Sequence, residues 1–185
     1  MATPSNISSS SPMPAGCAPR ATPRWPWPPD KLVPKFETTR HVVQSPRQMF
    51  DLVADVERYP EFLPLCEALT VRSRKERDGR TLLIADMTVG YKAIRETFTS
   101  QVLLKPDDLA IEVKYIDGPF RYLDNRWTFK PEGEGSAIHF FIDYEFRSRI
   151  LGGLMGSMFD RAFRMFAEAF EKRADAVYGR SEATS

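Results

Sequence analysis

From Ala68 onward the apolar positions of this chain recur every second residue, and beyond residue 150 they recur at helical spacing. Before that change, residues 36–44 are β-rich and close at Ser45-Pro46, an N-cap followed by a proline at the first helical position. A helix is predicted there, with Met49, Phe50, Leu52, Val53 and Val56 on its apolar face and a second short turn over Asp55-Val56-Glu57-Arg58. Strands are predicted over 69–77 and 80–89, joined by the hairpin signal Asp78-Gly79, then over 94–105, 109–116, 120–130 and 137–146. The last alternates most cleanly: Ile138, Phe140, Ile142, Tyr144 and Phe146 share one face, opposite His139, Asp143, Glu145 and Phe141. Short, turn-rich connections make these six strands an antiparallel meander, with the first strand added at an edge. An apolar sheet face needs a cover. Residues 150–178 supply it, as an amphipathic helix of about eight turns whose stripe runs through Leu151, Met155, Phe159, Phe163, Phe166, Phe170 and Val177.

The segment Tyr59-Pro60-Glu61-Phe62-Leu63-Pro64-Leu65-Cys66 stands out between the two patterns. Each proline disfavours helix at the residue before it, so a rigid, non-helical turn is expected whose apolar side chains face a core or a ligand-filled cavity. A solvated linker has no use for Tyr59, Phe62, Leu63 and Leu65 together. The cavity is the favoured reading, with this turn as its mouth.

One domain fits the 185 residues, and 42% hydrophobic with 28% charged residues is the balance of an ordinary globule with no membrane-spanning stretch. Residues 1–34 differ, holding nine of the fifteen prolines, and are expected to be a disordered extension. That extension carries +2 of the formal charge of +1, leaving −1 for the rest, so neither part has the charge of a strong nucleic-acid binder. Residues 180–185 are expected to fray. Cys17 and Cys66 imply no disulfide framework. Gly152, Gly153 and Gly156 leave two readings open: close approach or a movable lid at the start of the long helix, or a loop before a helix that begins near Leu154.

Little catalytic chemistry is on offer. His41 and His139 fall in predicted strands, there is no Cys-x-x-Cys, and Gly133-Glu134-Gly135 belongs to a hairpin turn. Asp143 and Glu145 share a strand face, where solvated pairing is favoured over acid/base work. Arg72, Arg74, Lys75, Arg77 and Arg80 make the first hairpin basic against Glu76 and Asp78, as an RNA contact would, but without interleaved aromatics. The Met155, Met158, Phe159, Phe163, Met165, Phe166 and Phe170 series is bulky and deformable, suited to an adjustable apolar cavity.

The order strand, two short helices, six strands and a long helix resembles the helix-grip fold of START-like lipid-transfer domains and polyketide cyclases, an α+β class with a seven-stranded curved sheet wrapped around the last helix. The motifs Tyr59–Cys66, Gly118-Pro-Phe-Arg-Tyr-Leu-Asp-Asn-Arg-Trp-Thr-Phe129, Phe141-Ile-Asp-Tyr-Glu-Phe146 and residues 158–174 look like those of its coenzyme Q-binding members. The resemblance covers residues 34–179 and implies non-catalytic binding of ubiquinone or another isoprenoid lipid as ligand, not redox cofactor, in support of respiratory electron transport. It also implies transient contact with a membrane surface, and a place in the cytoplasm or on the inner membrane face in a bacterium, or on the matrix side in a mitochondrion. The same family includes a bacterial ribosome-association toxin, which leaves the ribosome as a second partner; a cyclase-like enzyme is third. Under this reading the ligand-binding residues are Tyr59, Phe62, Leu63, Tyr91, Tyr122, Trp127, Phe140, Ile142, Tyr144, Met155, Phe159, Phe163 and Phe166. Tyr59, Tyr91, Tyr122, Tyr144 and Trp127 are the donors available to a quinone head, which only accepts hydrogen bonds.

Overall fold

The structure is a computed structural model describing residues 35–91 and 93–179, with the side chains of the last helix described from Arg161 onward. The extension expected over 1–34 and the fraying expected over 180–185 lie outside the described residues.

Ser45 sets the first helix. Its hydroxyl accepts from the Gln48 amide at 3.3 Å while the Gln48 side chain accepts from the Ser45 amide at 2.9 Å, a reciprocal capping box. Helix α1 (Pro46–Ala54) therefore follows strand β1 (Lys35–Val42) directly and buries Met49, Phe50, Leu52 and Val53. A 3-10 turn at Val56–Arg58 leads into α2 (Tyr59–Phe62).

That second helix corrects the expected non-helical turn. Tyr59 is helical at φ −54° and ψ −41° although it precedes a proline. Packing outweighs the local preference: the Tyr59 hydroxyl donates to the Val53 carbonyl at 2.6 Å, and its ring meets Phe62 and Phe170 edge-on at 6.0 and 5.3 Å. Pro60 sits in the first helical turn, where its missing N–H costs nothing. Leu63 is extended before Pro64 as expected, and Leu65 then turns left-handed at φ 67°.

Seven strands follow the order β1-β7-β6-β5-β4-β3-β2, all antiparallel. Beyond β1 they are β2 (Cys66–Arg77), β3 (Arg80–Tyr91), β4 (Ile94–Lys105), β5 (Ala110–Asp117), β6 (Phe120–Glu132) and β7 (Gly135–Phe146). The meander and the edge position of β1 match the sequence expectation. Asp78 and Gly79, at φ 50° and 71°, make the β2–β3 turn left-handed at both central residues, which suits the twist of the flanking strands.

Helix α3 (Arg149–Tyr178) covers the concave side, completing a helix-grip fold. It takes in Gly152, Gly153 and Gly156, so the reading that it starts near Leu154 is corrected. Ala162, Phe163, Phe170 and Ala174 are buried along it. Val177, placed on the apolar stripe by spacing, is 50% exposed. The end of α3 is fastened to β1 and to the segment that joins it to α1: Arg40 forms a bidentate pair with Glu171 at 2.6 and 3.0 Å, and Gln44 donates to Asp175 at 3.0 Å and to the Gly179 carbonyl at 3.2 Å.

Candidate functional site

The apolar interior is divided. One cluster, built on Met49, Phe50, Val53, Leu83, Ile111 and Phe129, lies under α1 and the end of α3. A second gathers Phe120, Leu123, Ile142, Tyr144, Phe146 and Phe163 nearer the start of α3. Val113 and Phe166 touch both clusters yet are only partly buried. They are incompletely covered because an apolar cavity of about 170 Å³ lies between the clusters.

The lining brings together much of what the sequence singled out. Tyr59, Leu63, Tyr91, Trp127, Phe140, Ile142, Phe163 and Phe166 all border the cavity. Phe62 and Tyr144 do not: Phe62 packs on Phe170 at 5.4 Å under the Arg173 guanidinium, and Tyr144 is buried in the second cluster. The side chains of Met155 and Phe159 lie outside the described residues. Leu63 is also a core residue, only 5% exposed, so its truncation would cost stability as well as wall.

Tyr122 is corrected outright. A β-bulge between Phe120 and Tyr122 adds a residue to β6 and reverses the parity of everything after Phe120. Leu123, Asn125 and Trp127 therefore face the cavity, while Tyr122 stands on the outer face and donates to Asp143 at 2.9 Å. Partial burial and that carboxylate push its phenol up to about 12.

The other polar candidates also point outward. Asp143 pairs with Lys35 at 3.6 Å and Glu145 with Arg121 at 3.1 Å, so the two carboxylates are a solvated ion-pair row, not an acid/base site. His139 meets Glu37 and His41 meets Glu132 at exposed positions. Among the described residues no group of His, Cys, Asp and Glu could hold a metal ion. Burial raises the Cys66 thiol to about 11, which makes it a poor nucleophile. In the first hairpin each arginine has a carboxylate partner: Arg72 with Asp86, Arg74 with Glu57, Arg77 with Asp78 and Arg80 with Asp108.

Several lining residues escaped the sequence reading: Glu96, Phe98, Ser100, Leu123 and Asn125. The signal for three of them was present in β4, where Ile94, Glu96, Phe98, Ser100 and Val102 alternate as one face. Two polar residues on an otherwise apolar face mark a lined cavity more specifically than a stripe of phenylalanines does. Inside the cavity the Asn125 amide donates to the Phe141 carbonyl at 2.9 Å and accepts from the Trp127 indole at 2.9 Å.

Comparison with known proteins agrees with this architecture. The family model described as polyketide cyclase / dehydrase and lipid transport matches residues 42–171. A Rickettsia prowazekii protein named ribosome association toxin RatA is 35% identical over 145 residues, covering 77% of this chain and 97% of its own. Coenzyme Q-binding protein COQ10 homolog B, mitochondrial, from Xenopus laevis is 32% identical over 143 residues, covering 75% of this chain and 57% of its own. The solution structure of an 18 kDa protein from Caulobacter crescentus superposes with a TM-score of 0.68 at 31% identity, over 78% of this chain and 98% of that one.

Proposed function

Since this chain belongs to the polyketide cyclase / dehydrase and lipid transport family, we propose that it is a non-catalytic carrier whose cavity accepts the head of an isoprenoid quinone or a closely related lipid, in support of respiratory electron transport. The observation that carries the reading is the apolar space held open between two packed clusters and lined by Trp127, Phe140, Phe163 and Phe166. Among the described residues of that lining nothing pairs a nucleophile with a base, which favours binding over turnover.

Size decides how a quinone would sit. An apolar cavity of about 150 Å³ accepts a benzene-sized guest, so 170 Å³ suits one substituted ring. A tail of several isoprene units exceeds it and must leave past Leu65, Gly90 and Tyr91, the last 37% exposed, or make α3 move. Each isoprene unit gains roughly 3 to 4 kcal/mol on leaving water, and nearly the same in a bilayer. Exchange with a membrane is then close to neutral for the tail, the balance a carrier needs. Among the described residues no helix is long and apolar enough to cross a membrane, so contact with one would be at its surface.

Transfer of a short-chain ubiquinone between vesicles tests this. The protein should accelerate transfer in proportion to its concentration; no acceleration overturns the carrier reading. Gly152→Ala probes the helix as a gate. The site is helical, and an added Cβ would meet Phe146 at an ordinary 3.8 Å. Alanine should stabilise the fold by about 1 kcal/mol, raising Tm by about 2–4 °C, and slow the exchange. A raised Tm with unchanged exchange would leave α3 a static wall.

Ribosome association is the second reading, resting on relatives that bear that name. The ion-paired arginines of the first hairpin weigh against it, since a phosphate would have to displace four carboxylates. Salt-sensitive co-sedimentation with ribosomal subunits, lost on reversing Arg72, Arg74 and Arg77 to Glu, would reverse the ranking.

A further inference from the structure

The polar groups of the cavity are unequally committed. Three of its donors are spent on the protein itself: the Tyr59 hydroxyl on the Val53 carbonyl, the Trp127 indole on Asn125, and the Asn125 amide on the Phe141 carbonyl. Its strongest acceptor is not. Among the described residues Glu96 is the one carboxylate in the lining, and it has no hydrogen-bonding or ion-pairing partner among them. Neighbouring acids differ: Glu67 is paired with Arg95, and Asp86 with Arg72 and the Thr99 hydroxyl, all on the outer face of the same strands. Strand parity explains the contrast. Arg95, Thr97 and Thr99 alternate outward on β4, which leaves Glu96 facing inward between Ile94 and Phe98, beyond reach of those cations.

A carboxylate in an apolar lining discriminates sharply between two states of one aromatic head. The oxidised quinone presents only carbonyl and methoxy oxygens, so against Glu96 it sets acceptor against acceptor and strips water from both. A hydroquinone or phenol presents an O–H, which donates to the carboxylate in a charge-assisted bond. Ser100, 6% exposed and also in the lining, can accept a second hydroxyl or donate to a methoxy oxygen.

We propose that the cavity selects the hydroxyl-bearing form of its aromatic lipid, a hydroquinone or phenol, over the oxidised quinone, with the Glu96 carboxylate as the acceptor that reads the difference. The proposal rests on the lipid-carrier reading and narrows it. Such a carrier would hold the reduced lipid away from oxidants and re-oxidised lipid would leave more readily.

The test is isothermal titration of the full chain with a short-chain ubiquinone and, under argon, with the same molecule reduced to its quinol. The quinol should bind at least about tenfold more tightly, the discrimination typical of a hydrogen bond to a charged group. Glu96→Gln, which keeps the shape but adds an amide donor, should bring the ratio to about one or below, with thermal stability unchanged because no protein partner is lost. Glu96→Ala should weaken quinol binding without a matching gain for the quinone. Equal affinities in the unaltered protein overturn the selectivity and leave the carrier reading standing. A tenfold preference that survives in both Glu96 variants overturns the assignment to Glu96. Failure of both forms to bind the folded protein overturns the carrier reading and this proposal with it.

Discussion

Val113→Trp should abolish lipid binding, with affinity for a short-chain ubiquinone falling by about a hundredfold or more, while the folded state keeps its stability. Val113 lies on β5 at the junction of the two apolar clusters, borders the cavity and is only partly buried. In a filled core, replacing an isopropyl group by an indole forces neighbours off their rotamers at a cost of about 1–3 kcal/mol. Here the added ring has about 170 Å³ to occupy, beside Trp127 and Phe166. Stability and binding therefore separate: urea denaturation should give a midpoint within error of the unaltered protein, and titration should show no lipid uptake. A strongly destabilised Val113→Trp would mean the space closes in solution, and binding that survives would mean the lipid sits elsewhere.

Gly135→Ala should be severely damaging, costing about 3 kcal/mol or more. An added Cβ would lie 2.0 Å from the Val42 carbonyl oxygen and 3.0 Å from two further backbone atoms of Val42 and Val43. No rotamer relieves a clash with backbone, so the end of β1 must move. That end carries the Ser136 hydroxyl bond to the Gln44 carbonyl at 2.9 Å and leads straight into the Ser45 cap of α1. Gln44 also ties down the end of α3, so strand, helix cap and cover should loosen together. Gly133→Ala is the control. Gly133 has φ 56° with nothing within 4 Å of an added Cβ, and should cost only about 1 kcal/mol. Equal urea midpoints for the two variants would contradict this account of the β1–β7 junction.

The division of the chain into elements was legible because its signals are local. Ser45-Pro46 and Asp78-Gly79 act through their own backbone geometry, and strand alternation needs no knowledge of partners. The failures have a different physical origin. Tyr59 is helical because Phe170, more than a hundred residues away, and the Val53 carbonyl hold it there. Tyr122 was expected inward together with Trp127, and the bulge after Phe120 turns it to the outer face. A trace of that bulge is in the sequence: Phe120 and Tyr122 on one face cannot share a strand face with Trp127 and Phe129 unless a residue is inserted between them. Val177 kept the helical period of the apolar stripe yet is half exposed, since spacing does not say what a helix face packs against. Glu96 and Ser100 were passed over for aromatic residues, although polar groups on an apolar strand face are the rarer pattern.

Organic extraction of the protein purified from its own host, followed by mass spectrometry and with Val113→Trp protein purified alongside, tests whether the space between sheet and α3 carries an aromatic isoprenoid lipid in the cell. A quinone-type lipid is expected in near-stoichiometric amount from the unaltered protein and should be lost from the variant. A lipid-free extract, or the same lipid recovered equally from both, would contradict it.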